Sequence, residues 1–88
     1  MLNSKYYIAM RVSELVRNRI ENLLEEKKMT VYRLGLVSGV LPGSLNGLMR
    51  ARNNSVDLTL IIKIAKGFKI DLSEFFNDPI FKDIELEK

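Results

Sequence analysis

Between positions 38 and 54 the chain reads SGVLPGSLNGLMRARNN, and its polar side chains are of kinds that bind rather than react. Ser44 and Asn46 offer a hydroxyl and a carboxamide, and Arg50, Arg52, Asn53 and Asn54 follow closely. A second set, Thr30, Tyr32 and Arg33, stands a short distance upstream. These groups exchange hydrogen bonds and carry positive charge, and at neutral pH none is a ready nucleophile or general base. The chain has no cysteine and no histidine. That removes the thiolate nucleophile, the commonest general base and the commonest metal ligands. The carboxylates cluster in segment 12–28 and in the tail, without the convergence that acid–base catalysis needs. The expectation is therefore a binding protein with no enzymatic activity, no metal and no cofactor. Pro42, Gly43 and Gly47 are interleaved with the polar groups, so the stretch is short of long side chains.

Charge distribution suggests the kind of partner. Residues 1–69 hold twelve Lys/Arg against five Asp/Glu, whereas residues 70–88 hold two against six. A body of net +7 followed by a tail of net −4 suits a surface that meets a polyanion, with the tail held away from it. At 88 residues, 47% hydrophobic and 28% charged, the composition is that of one globular domain. A core of this size is modest, so self-association is expected to help it. No apolar run approaches the roughly 18 residues of a membrane span. The opening MLNSKYYIAMRVSE lacks the apolar region of a secretion signal. A cytoplasmic protein away from membranes is expected.

The elements that must hold these side chains follow from apolar periodicity. In segment 12–28, Val12, Leu15, Val16, Ile20, Leu23 and Leu24 recur at three- and four-residue steps, the stripe of an amphipathic helix. Residues 1–11 extend that helix or form an arm. MTVYRLGLVSG predicts a short helix with Thr30 as N-cap and Gly39 as stop, and with Leu34 and Val37 inward. Arg33 falls at its third position, where a positive charge opposes the helix dipole and a nearby anion would compensate. Pro42 suits the first position of the next helix, with Leu45, Leu48 and Met49 inward. Gly43 and Gly47 each cost that helix about 1 kcal/mol relative to alanine, leaving it dependent on packing. After a polar loop, Asp57 caps LTLIIKIAKGF, with Leu58, Ile61, Ile62, Ala65 and Phe68 inward. Asp71 and Glu74 open a fifth helix, DLSEFF, which Asn77-Asp78-Pro79 ends. Ile80, Phe81, Ile84 and Leu86 keep the tail apolar enough to pack or to join a second copy. The prediction is five helices and an all-α chain.

A capped helix of about eight residues, a glycine turn and a second short helix, with one long helix before and two behind, is the order of a helix-turn-helix unit. Residues 20–76 resemble the helix-turn-helix family of phage Cro and repressor proteins, which is widespread in small bacterial regulators. The matching pieces are MTVYRL (29–34), SGV (38–40), SLNGLMR (44–50), LTLIIKIAKGF (58–68) and DLSEFF (71–76). The resemblance implies a five-helix, lambda-repressor-like DNA-binding domain. It further implies a transcriptional regulator, a repressor, working as a homodimer with its second motif helix in the major groove of operator DNA. Domain boundaries on this reading are an N-terminal arm or helix extension (1–11), the DNA-binding domain (12–77) and an acidic C-terminal tail with a dimer contact (78–88).

The chain departs from that family where reading occurs. The family commonly has Gln after the cap of the first motif helix, and here it is Val31. A Ser or Thr usually caps the second, and here the position is Leu41. Positions that often touch bases are Pro42, Gly43 and Gly47. Several polar groups can still serve. Thr30 and the helix start beside it face a phosphate, and Tyr32 and Arg33 reach the neighbouring backbone. Ser44 and Asn46 remain on the reading helix, where Asn pairs bidentately with adenine N6 and N7. Arg50, Arg52, Asn53 and Asn54 contact phosphates at its far end, while Gly43 and Gly47 let the helix backbone approach the groove closely. The competing expectation is a protein-interaction module, such as an antitoxin or anti-regulator with reduced base readout, whose partner is a protein.

Overall fold

Helix α1, Ser4–Glu26, runs for 23 residues. In this computed structural model the backbone is described for residues 4–50 and 56–83, and side chains for 12–50 and 56–82. Leu15, Val16, Ile20 and Leu23 are all nearly inaccessible to solvent, so the period read from the sequence is the buried face of α1. The helix ends where Lys28 turns to φ 53°. There the N–H of Met29 donates to the carbonyl of Leu24 and that of Lys28 to Glu25, a Schellman closure with lysine in the place glycine usually takes.

Helix α2, Val31–Ser38, follows a Thr30 cap in extended conformation. It stops at Gly39, whose φ of 71° is the left-handed geometry that a side chain would strain. Helix α3, Pro42–Met49, begins on Pro42. Helix α4, Leu58–Gly67, is capped by Asp57, whose Oδ1 accepts the N–H of Thr59 at 2.9 Å. Lys69 at φ 62° then closes α4 as Lys28 closes α1, with Ile70 N–H donating to the carbonyl of Ala65. Helix α5, Leu72–Phe76, takes its cap from Asp71, whose Oδ1 accepts the N–H of Glu74 at 2.7 Å. A 3-10 turn, Pro79–Asp83, ends the described chain. Every regular element among the described residues is helical, and none of these helices is long and apolar enough to cross a membrane.

The core lies where α1, α2, α3 and α4 converge on Leu34, Leu45, Leu48, Ile64, Phe68 and Phe75. Three inward assignments need correction. In α4 the buried stripe is Ile61, Ile64, Ala65 and Phe68, whereas Leu58 and Ile62 are exposed. A stripe centred on those four leaves Ile62 about 100° round the helix from Ile61, and Leu58 lies in the first turn. In α2, Leu34 is buried but Val37 is exposed. The inward edge of α2 is instead Leu34 and Ser38, one turn apart, because both press on Gly67 of α4. A Cβ at Gly67 would stand 2.9 Å from Ser38 Cβ and 3.0 Å from Leu34 Cδ1, so only glycine permits this approach.

The C-terminal end is fastened to α1 by Arg19, a charged residue that falls between Leu15 and Leu23 on the buried side of the helix. Its Nε donates to the carbonyl of Phe75 at 2.8 Å, one terminal nitrogen to that of Glu74 at 3.0 Å, and the other to Asp78 Oδ2 at 3.0 Å. The guanidinium thus caps the carbonyl end of α5, where positive charge is favoured, and lies over the Phe75 ring at 5.9 Å. Phe75, Phe76 and Phe81 meet with ring centroids 5.0–6.2 Å apart, so the beginning of the tail is packed. Ile84 and Leu86 lie outside the described residues.

Candidate nucleic-acid interface

Two eight-residue helices, α2 and α3, are joined by residues 39–41. Each part of this unit has a local cause. Thr30 Oγ1 accepts the N–H of Arg33 at 3.0 Å and satisfies one of the donors left open at the start of α2. Ser38 Oγ reaches back to the carbonyl of Gly35 and accepts the N–H of Val40 at 3.3 Å, bracing the turn around Gly39. Val40 is buried and anchors the connection in the core. Leu41 occupies the N-cap of α3 and supplies no side-chain acceptor, so the carbonyl of Leu41 and the proline at the first position alone start the helix. Leu45 and Leu48 are buried beneath it, and they hold a weak helix in place.

Thr30, Tyr32 and Arg33 are exposed at the start of α2. Gly43, Ser44 and Asn46 are exposed on α3, Gly47 is half-buried, and Arg50 is exposed at the helix C-cap. With Leu45, Leu48 and Met49 inward, the 3.6-residue period puts Gly43 and Gly47 on the opposite side. A Cβ at Gly43 would meet nothing within 4 Å, so that side of the backbone is open. Arg52, Asn53 and Asn54 lie outside the described residues.

Sequence reasoning did not find the cleft between the two helices. It encloses roughly 460 Å³ and is lined by Val31, Tyr32, Leu36, Leu41, Pro42 and Asn46, together with Gly35, Gly39, Val40 and Leu45. Tyr32 is 77% exposed, Leu41 73% and Leu36 58%. A signal for it was present: Leu36 and Leu41 sit off the inward positions of their segments, where an exposed helix surface is usually polar.

The formal charge along this stretch of sequence has one sign. From position 29 to 56 there is no acidic residue, while Arg33, Arg50 and Arg52 lie within the span. The carboxylate that follows it, Asp57, is already engaged as the cap of α4. Among the described residues no group of acidic side chains is arranged to hold a metal ion.

Set against protein-family models, curated proteins and solved structures, the chain finds no match. The site therefore rests on its own chemistry. Two short helices that expose Arg33 and Arg50 and carry no carboxylate of their own can neutralise phosphates, and α3 presents a hydroxyl, a carboxamide and an open backbone beside them.

Proposed function

We propose that this chain is a sequence-specific DNA-binding transcriptional regulator, a repressor of the phage Cro and repressor helix-turn-helix kind. In this reading α2, the turn and α3 form the motif, α3 lies in the major groove, and two copies bind a two-fold operator. The observation that carries it is the exposed face of α3, set in a stretch of sequence, 29 to 56, that holds no carboxylate. A duplex major groove is about 12 Å wide and admits one helix. A helix whose outer side is glycine, serine and asparagine can lie deep in it. Phosphate neutralisation by Arg33, Arg50 and Arg52 supplies affinity, and Ser44 and Asn46 supply contacts to base edges.

Selection of duplexes from a randomised library is the test. Enrichment of a two-fold repeated site is the expected result; recovery of a library indistinguishable from the input would refute the reading. A second reading, a protein-interaction module that has given up base readout, is favoured by the apolar cleft with its exposed Tyr32, Leu36 and Leu41. On that reading Leu36→Ser and Leu41→Ser abolish a stoichiometric protein complex, and no duplex is enriched.

A further inference from the structure

We propose that the cleft between α2 and α3 takes up thymine methyl groups, so that this protein selects A·T-rich DNA by an apolar contact rather than by long polar side chains. The inference rests on the DNA-binding reading above and assigns a ligand chemistry to the same surface.

The difficulty it resolves is the presence of leucines on a face suited to a polyanion. Leu36, Leu41 and Pro42 line the cleft, and Leu41 stands at the N-cap of α3 with its side chain 73% exposed. In the major groove the apolar group that a base pair presents is the C5-methyl of thymine; guanine, cytosine and adenine present hydrogen-bonding groups there. A thymine methyl against Leu41 and Pro42 buries apolar surface on both sides. A guanine O6 or cytosine N4 pressed into the same place loses its water and gains no partner, which is strongly unfavourable. The cleft therefore attracts one base and repels the G·C pair.

Two neighbouring features agree. Asn46 lines the cleft beside Pro42, and its carboxamide suits N6 and N7 of adenine, the other half of an A·T pair or its neighbour. Gly43 has open space where a Cβ would stand, so base edges can approach the start of α3 without obstruction. A protein segment seated in the cleft would find apolar walls too. Charge decides between them: α2 and α3 expose Arg33 and Arg50, and positions 29 to 56 hold no carboxylate, a composition that complements phosphates.

The experiment uses the full chain and the duplex it enriches from a randomised library, resynthesised with deoxyuridine in place of each thymidine in turn. Deoxyuridine keeps the base pair and removes only the methyl. Affinity should fall about fourfold for each methyl that enters the cleft, the equivalent of one buried methylene-sized group. The variant Leu41→Ser removes the apolar lip and supplies a side-chain acceptor at the N-cap of α3, so its fold is retained. It should bind thymidine and deoxyuridine duplexes equally. A selective site that is indifferent to every deoxyuridine overturns the inference and leaves the DNA-binding reading standing. Equal discrimination by wild type and Leu41→Ser overturns the assignment to this cleft. Failure to enrich any duplex removes both.

Discussion

Arg19 makes three hydrogen bonds to groups more than fifty residues away in the chain, and its side chain is only 12% exposed. In Arg19→Ala the carbonyls of Glu74 and Phe75 and the carboxylate of Asp78 lose their charged donor. Two of these acceptors, the Phe75 carbonyl and Asp78, are part-buried, and leaving them without a donor is costly. The expected loss is about 2–4 kcal/mol in urea unfolding, with Arg19→Lys recovering only part, because an ammonium cannot reproduce the planar fork. A change in Arg19→Ala below about 0.5 kcal/mol, the size of an ordinary exposed pair, would show that the contact contributes little. Such a residue is invisible to periodicity: it stands between buried positions of α1, and only the return of α5 gives it partners. Thr30, Asp57 and Asp71, by contrast, were legible as caps, since a cap bonds within three residues and its chemistry is local.

At the level of elements, the boundaries set by caps and stops were readable, and the faces were less so. Pro42 and Gly39 mark ends by backbone geometry alone. Which side of α2 turns inward depends on what lies behind it, and that is Gly67. Gly67→Ala would force a Cβ to 2.9 Å from Ser38 and separate α2 from α4. Destabilisation of about 1–3 kcal/mol is expected from such overpacking, against the slight gain that alanine brings to a helix elsewhere. Thermal unfolding measures it, and a variant as stable as wild type would mean that α2 shifts freely. Lys28 and Lys69 in left-handed geometry were likewise unreadable, because glycine is the usual signal for that turn and neither position has it. The α2–α3 cleft escaped notice for a related reason: an apolar residue off the stripe reads as noise until two helices put several of them side by side.

Across the whole molecule, charge is segregated along the sequence. Six of the eleven acids lie beyond position 69, whereas the span 29–56 has none. On the DNA-binding reading, a field of this kind orients a basic surface toward a polyanion before contact. If Arg33, Arg50 and Arg52 each meet a phosphate, a dimer makes about six such contacts and log affinity should fall with log salt at a slope near −5. Arg50→Ala should flatten that slope by about 1.8 in a dimer and weaken binding evenly across sequences. Fluorescence anisotropy at several salt concentrations gives both quantities; an unchanged slope would place Arg50 away from the backbone. The all-helical character was legible from period and caps. How α2 and α3 combine into one surface was not, because that depends on packing between elements.

The grip of Arg19 also has a consequence in time. Its partner Asp78 follows it by 59 positions, and a ribosome adds about 5–20 residues per second. For roughly 3–12 s of synthesis α1 therefore carries a guanidinium whose partners have not yet been made. The stripe of α1 can find α2, α3 and α4 in that interval, but the latch closes only when the last helix arrives. A chain halted before position 75 would hold α2 and α3 and lack the fastening that joins beginning to end.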